Sequence, residues 1–240
     1  MRFGRTSPLV YARLAGFLYL LLIPFSAFGL IYVPSKLIVP GDAATTANNI
    51  VASEALFRSG IVSHLIGQTI FILLPLVLYR LLKPVNKNHA VLMVVLVLVS
   101  VPITFINELN HFAALILLSG ADYLSVFAVD QLHAQMMLFL ELHEHGITIA
   151  LIFWGLWLFP LGYLVFKSGF LPKILGVLLM IGCIGYLIDA LTTMLFPDFD
   201  MTVSQFTFIG ELLFPLWLVF KGVNVERWEG LVLASDSSAS

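Results

Sequence analysis

Residues 90–116 read AVLMVVLVLVSVPITFINELNHFAALI, with Glu108 and His111 as the only ionisable side chains. A hydrocarbon core of about 30 Å is crossed by roughly 20 apolar residues rising 1.5 Å each, so this stretch reads as a transmembrane helix. Its polar positions are not scattered. Ser100, Thr104, Asn107, Glu108 and His111 recur at intervals of three and four, which places them on one helical face. A polar stripe on an apolar helix packs against other helices rather than lipid, so the fold class is an all-α, polytopic membrane helix bundle.

Outward from this helix, further spans are expected at 15–32, 61–82, 146–166, 171–195 and 203–220, making six with 90–116. Composition agrees: 60% of the 240 residues are hydrophobic, 11% are charged, and the mean hydropathy is +1.02, against roughly 25% charged residues in soluble domains. Basic residues give an independent test, because cytoplasmic loops retain Lys and Arg. Arg2, Arg5, Arg13, Arg80, Lys83, Lys87, Lys167, Lys173, Lys221 and Arg227 fall on one side of the six-span scheme, with Lys36 and Arg58 on the other. Both termini are therefore expected in the cytoplasm, with residues 1–233 as a single transmembrane domain and 234–240 as a disordered tail. The first span reads as retained rather than as a cleaved leader, since Arg13 interrupts its start and no convincing small-residue cleavage site follows.

Two connections on the outer side are long. Pro40-Gly41-Asp42 is a turn with Asp42 placed to cap a short helix over 43–57. Residues 122–145 contain no Lys or Arg; they read as helical, either extending the fourth span or lying along the membrane surface, with Gly146 at a bend. Trp228 reads as an interfacial anchor. The lone Cys183 rules out an intrachain disulfide and reads as a packing thiol. A net charge of −2 without a basic cluster argues against nucleic acid.

The ionisable residues within spans are the functional candidates, because a charge inside the bilayer costs a few kcal/mol on insertion scales. At 1.5 Å per residue, Glu108 lies about 27 Å from the inner face and Asp189 at a similar height. Glu211 lies about 12 Å below the outer face, and His64 and Gln68 roughly 5 and 10 Å below it. Five of the six histidines, His64, His111, His133, His143 and His145, also belong to the outer half. Glu108-x-x-His111 has the i, i+3 spacing that carboxylate-bridged metal bundles use, and Glu141 with His145 forms an i, i+4 pair. The candidate metal ligands are His64, Glu108, His111, His143 and His145; a haem is an alternative use of the histidines. Glu108, Asp189 and Glu211 are the candidate proton-transfer acids, and Gln68, Asn107 and Asn110 the candidate pocket lining. For each acid, interhelical hydrogen bonding is the competing structural role.

The runs Arg13-Leu-Ala-Gly-Phe-Leu-Tyr, Leu37-Ile-Val-Pro-Gly-Asp-Ala-Ala, Gly169-Phe-Leu-Pro-Lys-Ile-Leu-Gly, Gly185-Tyr-Leu-Ile-Asp and Ile209-Gly-Glu-Leu extend over most of the chain. In combination they resemble the bacterial membrane family catalogued as domain of unknown function 4386. The resemblance implies a multi-pass protein of the bacterial cell (inner) membrane and supplies no activity. Asp189 and Glu211 fall within its motifs, and His143 matches a Leu-His element near the start of its fourth span. Asn107-Glu-Leu-Asn-His111 and Glu144-His145 are more polar than that pattern, which implies that a metal site using Glu108, His111 and His145 belongs to a subgroup.

Three readings follow. In the first, a membrane-embedded enzyme uses an outward-facing polar or metal site on an apolar small molecule or lipid. In the second, a proton-linked transporter or small-ligand receptor uses Asp189 and Glu211, although nearly wholly apolar inner halves, such as 91–99, disfavour a continuous channel. In the third, an accessory protein uses its polar residues only to join helices. The lipid bilayer is the partner common to all three, and no pattern in the chain encodes an oligomeric state.

Overall fold

An apolar segment withdrawn from water must satisfy its own backbone N–H and C=O groups, and the helix does so within one segment. The computed structural model describes residues 7–196 and 201–237, and every regular element among them is helical, with no strand. The long elements are α1 (Pro8–Leu37), α3 (Glu54–Leu82), α4 (Lys87–Leu117), α5 (Val129–Lys167), α6 (Lys173–Leu195) and α7 (Ser204–Phe220); the shorter α2 (Ala43–Ala52) and α8 (Val225–Ser237) follow α1 and α7. Five of these are long and apolar enough to cross a membrane. A sixth is added if α7 and α8, bent by 97° at their junction, count as one span.

Several details differ from the sequence reading. The fourth helix begins at Val129, so most of 122–145 extends the span, and Gly146 lies within an unbroken helical stretch rather than at a bend. The helix expected over 43–57 stops at Ala52, and Glu54 already begins α3. Asp42 caps α2, its carboxylate accepting the Thr45 N–H at 2.9 Å and the Thr45 hydroxyl at 2.7 Å. Both bonds favour the ionised form and hold the Asp42 carboxyl below its ordinary value. Trp228 is buried instead of anchoring at an interface, because its indole N–H finds the Leu81 carbonyl at 2.8 Å. Of the tail expected to be disordered from Ala234, residues 234–237 continue α8 and 238–240 lie outside the described residues.

The contacts group the chain into two compact units, one drawn from residues 22–69 and 101–150, the other from 1–21, 70–100 and 151–240. The core of the first is Val33 and Leu37 of α1, Ile50 of α2, Phe57 and Ile61 of α3, Ala114 and Leu115 of α4, and Met136 and Leu140 of α5. In the second, α6 packs against the C-terminal part of α5 and against α7. Gly162 and Gly176 bring the first of these pairs into close approach: a Cβ added at either would lie 2.5–2.6 Å from the carbonyl oxygen of the other. At the end of α7, Gly222 has φ +68° and its N–H returns to the Trp217 carbonyl, the left-handed stop from which the chain turns into α8.

Candidate metal-binding site

Within the first unit, three helices bring an imidazole or a carboxylate to one point. The i, i+3 spacing on α4 sets His111 over Glu108, and His111 Nδ1 lies 2.9 Å from Glu108 Oε2. From α3, His64 Nδ1 lies 2.5 Å from Glu108 Oε1; from α5, His143 Nε2 lies 3.2 Å from the same oxygen. One carboxylate thus faces three imidazole nitrogens. The His111 and His143 rings are stacked, with centroids 3.6 Å apart and planes at 24°. Glu108 and His64 are each 2% exposed, His143 5% and His111 7%, so bulk water does not solvate the group.

The backbone around the cluster is built for close approach. In α1 the hydrogen bonding widens to a π-helical turn over Phe28–Tyr32, a feature frequent at functional sites. Gly29 in that turn sits against α3: a Cβ there would lie 2.7 Å from the Gly60 carbonyl oxygen and 3.0 Å from His64 Cβ. The Ser63 hydroxyl donates to the Phe25 carbonyl at 2.9 Å, fixing the same pair of helices. On the other side, the Asn107 amide donates to the His143 carbonyl at 2.8 Å, and its side chain fills the space that a Cβ on Gly146 would need. Gly146 is therefore where α5 admits Asn107, and that contact sets the height of His143 beside Glu108.

Of the other candidate ligands, His145 is exposed and outside the cluster, because two positions along a helix from His143 is a rotation of about 200°. Gln68, expected in a pocket lining, touches the cluster from behind: its Nε2 lies 3.1 Å from His64 Nε2, and its Oε1 is buried without a hydrogen-bond partner among the described residues. Asn110 does not line the site; its amide donates to the backbone and side-chain oxygens of Asn107 and steadies the α4–α5 clamp.

The two remaining candidate acids belong to the second unit. Both Asp189 oxygens accept backbone N–H groups, from Val203 at 2.6 Å and Ser204 at 2.9 Å, which caps the start of α7. Glu211 Oε2 accepts the Tyr19 hydroxyl at 2.7 Å, and the Tyr186 hydroxyl interacts with the same carboxylate, while Oε1 is shielded and without a hydrogen-bond partner among the described residues. Tyr19 packs on Trp157, with centroids 5.7 Å apart. Sequence reading missed both tyrosines. The available signal was a phenol inside an apolar span, whose hydroxyl needs a partner.

Among the described residues, His64, Glu108 and His143 form a set able to hold a metal ion, each offering one ligand atom and all these atoms lying within 4.8 Å of one another. Donors about 2.0–2.2 Å from a shared tetrahedral ion lie about 3.3–3.6 Å apart, so a pair at the 4.8 Å limit would close by about 1 Å and the 2.5 Å His64–Glu108 pair would open by about 1 Å to admit it. Imidazole with carboxylate suits first-row divalent ions such as zinc and iron.

Comparison with known proteins adds a family and a relative. The family described as "Domain of unknown function (DUF4386)" matches residues 14–222. An uncharacterized protein of Archaeoglobus fulgidus is 35% identical over 147 residues, covering 60% of this chain and 72% of the relative. No solved structure matches the chain.

Proposed function

Because the chain belongs to the DUF4386 family, whose description carries no activity, we propose a role from its own geometry: a membrane-embedded metalloprotein that acts on an apolar substrate. The observation that carries this reading is the convergence of His64, His111 and His143 on Glu108, all four buried and drawn from three membrane-length helices. His64, Glu108 and His143 would hold the ion, with His111 beside them as a further donor. The close spacing of the three donors suits a single bare ion. Such an ion supplies Lewis-acid or redox chemistry.

The chain's own contribution is to position the donors through the Gly29 and Gly146 contacts and to exclude water. The apolar substrate class is supported by the burial of the ligands within membrane-length helices. The outward faces of the same helices, with Val62 and Ile66 on α3, Ile106 and Leu109 on α4 and Leu142 on α5 at 40–66% exposed, turn away from the ligands and suit contact with lipid. The positive-inside distribution supports a cell-membrane location with both termini cytoplasmic. Reporter fusions at the N-terminus and after Lys221 should both report the cytoplasm, and a periplasmic or extracellular signal from either would overturn that topology.

Metal analysis tests the central reading, on protein purified in mild detergent without chelator or histidine tag. About one first-row metal ion per chain is expected in the wild type, and at most a tenth of that in Glu108→Gln and His143→Ala variants that remain folded. A folded wild type that carries no metal and takes up neither Zn2+ nor Co2+ would overturn the reading.

A further inference from the structure

Gln68 is buried, 2% exposed, one helical turn after His64, and only one end of its amide is used. Its Nε2 faces His64 Nε2 at 3.1 Å, while Oε1 has no hydrogen-bond partner among the described residues. In this arrangement the amide N–H donates to His64 Nε2. A neutral ring that accepts this bond carries its hydrogen on Nδ1, the nitrogen that lies 2.5 Å from Glu108 Oε1. That tautomer suits a carboxylate without a metal, because Nδ1 has no lone pair to give to an ion.

A histidine that ligates a metal usually donates its other ring N–H to an acceptor, and this partner fixes the tautomer. Turning the Gln68 amide by 180° provides that acceptor: Oε1 then takes a hydrogen bond from His64 Nε2–H, and Nδ1 presents a lone pair toward Glu108 and His143. The turn breaks no second hydrogen bond, since one amide atom lacks a partner in either orientation. It also needs no net proton, because the hydrogen lost at Nδ1 is regained at Nε2 and the ring stays neutral.

Resting on the metal reading above, we propose that Gln68 is a positioning residue that turns between two amide orientations and so switches His64 between a hydrogen-bond donor to Glu108 and a metal ligand. The amide is the adaptable part of a site whose other supports, the Gly29 and Gly146 contacts, are rigid.

The test combines Zn2+ affinity, measured by competition with a chromophoric chelator, and 15N spectra of histidine-labelled full-length protein, with the His64 signals assigned by their loss in His64→Ala. In the wild type, His64 is expected to be protonated on Nδ1 without metal and on Nε2 with Zn2+. Gln68→Leu should bind Zn2+ at least tenfold more weakly, and Gln68→Glu, which can only accept from the ring, should bind no more weakly than the wild type. A wild type that binds Zn2+ with His64 already protonated on Nε2 before metal is added, or a folded Gln68→Leu with wild-type affinity, would overturn the switch and leave the metal site standing. A wild type that binds no Zn2+ would overturn both.

Discussion

Glu108 and Glu211 are both carboxylates carried by apolar helices, yet the chain surrounds them with different chemistry. Around Glu108 stand three imidazoles, groups that can donate a hydrogen bond, accept one or ligate a metal. Around Glu211 stand two phenols, Tyr19 and Tyr186, which at neutral pH act through their hydroxyls and are poor ligands for a neutral-pH metal site. An acid among imidazoles can exchange its protons for an ion, whereas an acid between phenols can serve as a hydrogen-bond hub. Asp189, with both oxygens on backbone N–H groups, is a third arrangement, in which the carboxylate ends a helix.

The largest effect that would break this contrast is on metal content. Glu108→Gln should lower Zn2+ affinity at least 100-fold while Glu211→Gln stays within about twofold of the wild type; equal losses in the two variants would remove the distinction. Next comes Asp189→Ala, which leaves two backbone N–H groups at the start of α7 without their acceptor. It should cost about 2–3 kcal/mol of unfolding free energy in mixed micelles with metal binding unchanged. A metal-binding defect there, in a folded protein, would assign Asp189 to the metal chemistry.

Gly146→Ala sharpens the account of the first unit. The new methyl meets the Asn107 side chain, an overpacking expected to cost about 1–3 kcal/mol, and by displacing Asn107 from the His143 carbonyl it should weaken metal binding about tenfold. Unchanged affinity would show that His143 is held by other means. Smaller still, Tyr19→Phe removes one hydrogen bond to Glu211, at about 1 kcal/mol, and should leave metal affinity unaffected.

The smallest effect lies at Asp42. Its carboxyl is held below the unfolded-state value by Thr45, so the stabilisation it gives α2 is present above the unfolded pKa and fades as pH falls through the lower folded pKa. Amide exchange of residues 44–47 should quicken at neutral pH in Asp42→Ala, and the difference between variant and wild type should vanish in acid.

The i, i+3 relation between Glu108 and His111 was legible because helix geometry alone brings those side chains to one face, and the five or six apolar spans were legible from length and hydropathy. Gly146 was misread as a bend because a glycine in a helix signals either flexibility or close approach, and only the Asn107 side chain shows which applies. His145 entered the candidate ligands through its i, i+4 relation to Glu141 and its place among the outer histidines, although helical rotation turns it away from His143 and outward. Tyr19 and Glu211 are 192 positions apart in the chain, and no local period connects them.

By itself the sequence determined that the chain is a bundle of membrane-length helices with polar stripes, because bilayer thickness and helical rise act on local composition. The choice of histidines for Glu108, the tyrosines for Glu211 and the backbone amides for Asp189 was decided only in the tertiary structure. Those pairings depend on which helices approach closely enough for side chains to meet, and close approach is set by contacts such as those of Gly29 with α3 and Gly146 with Asn107, between residues far apart in the chain.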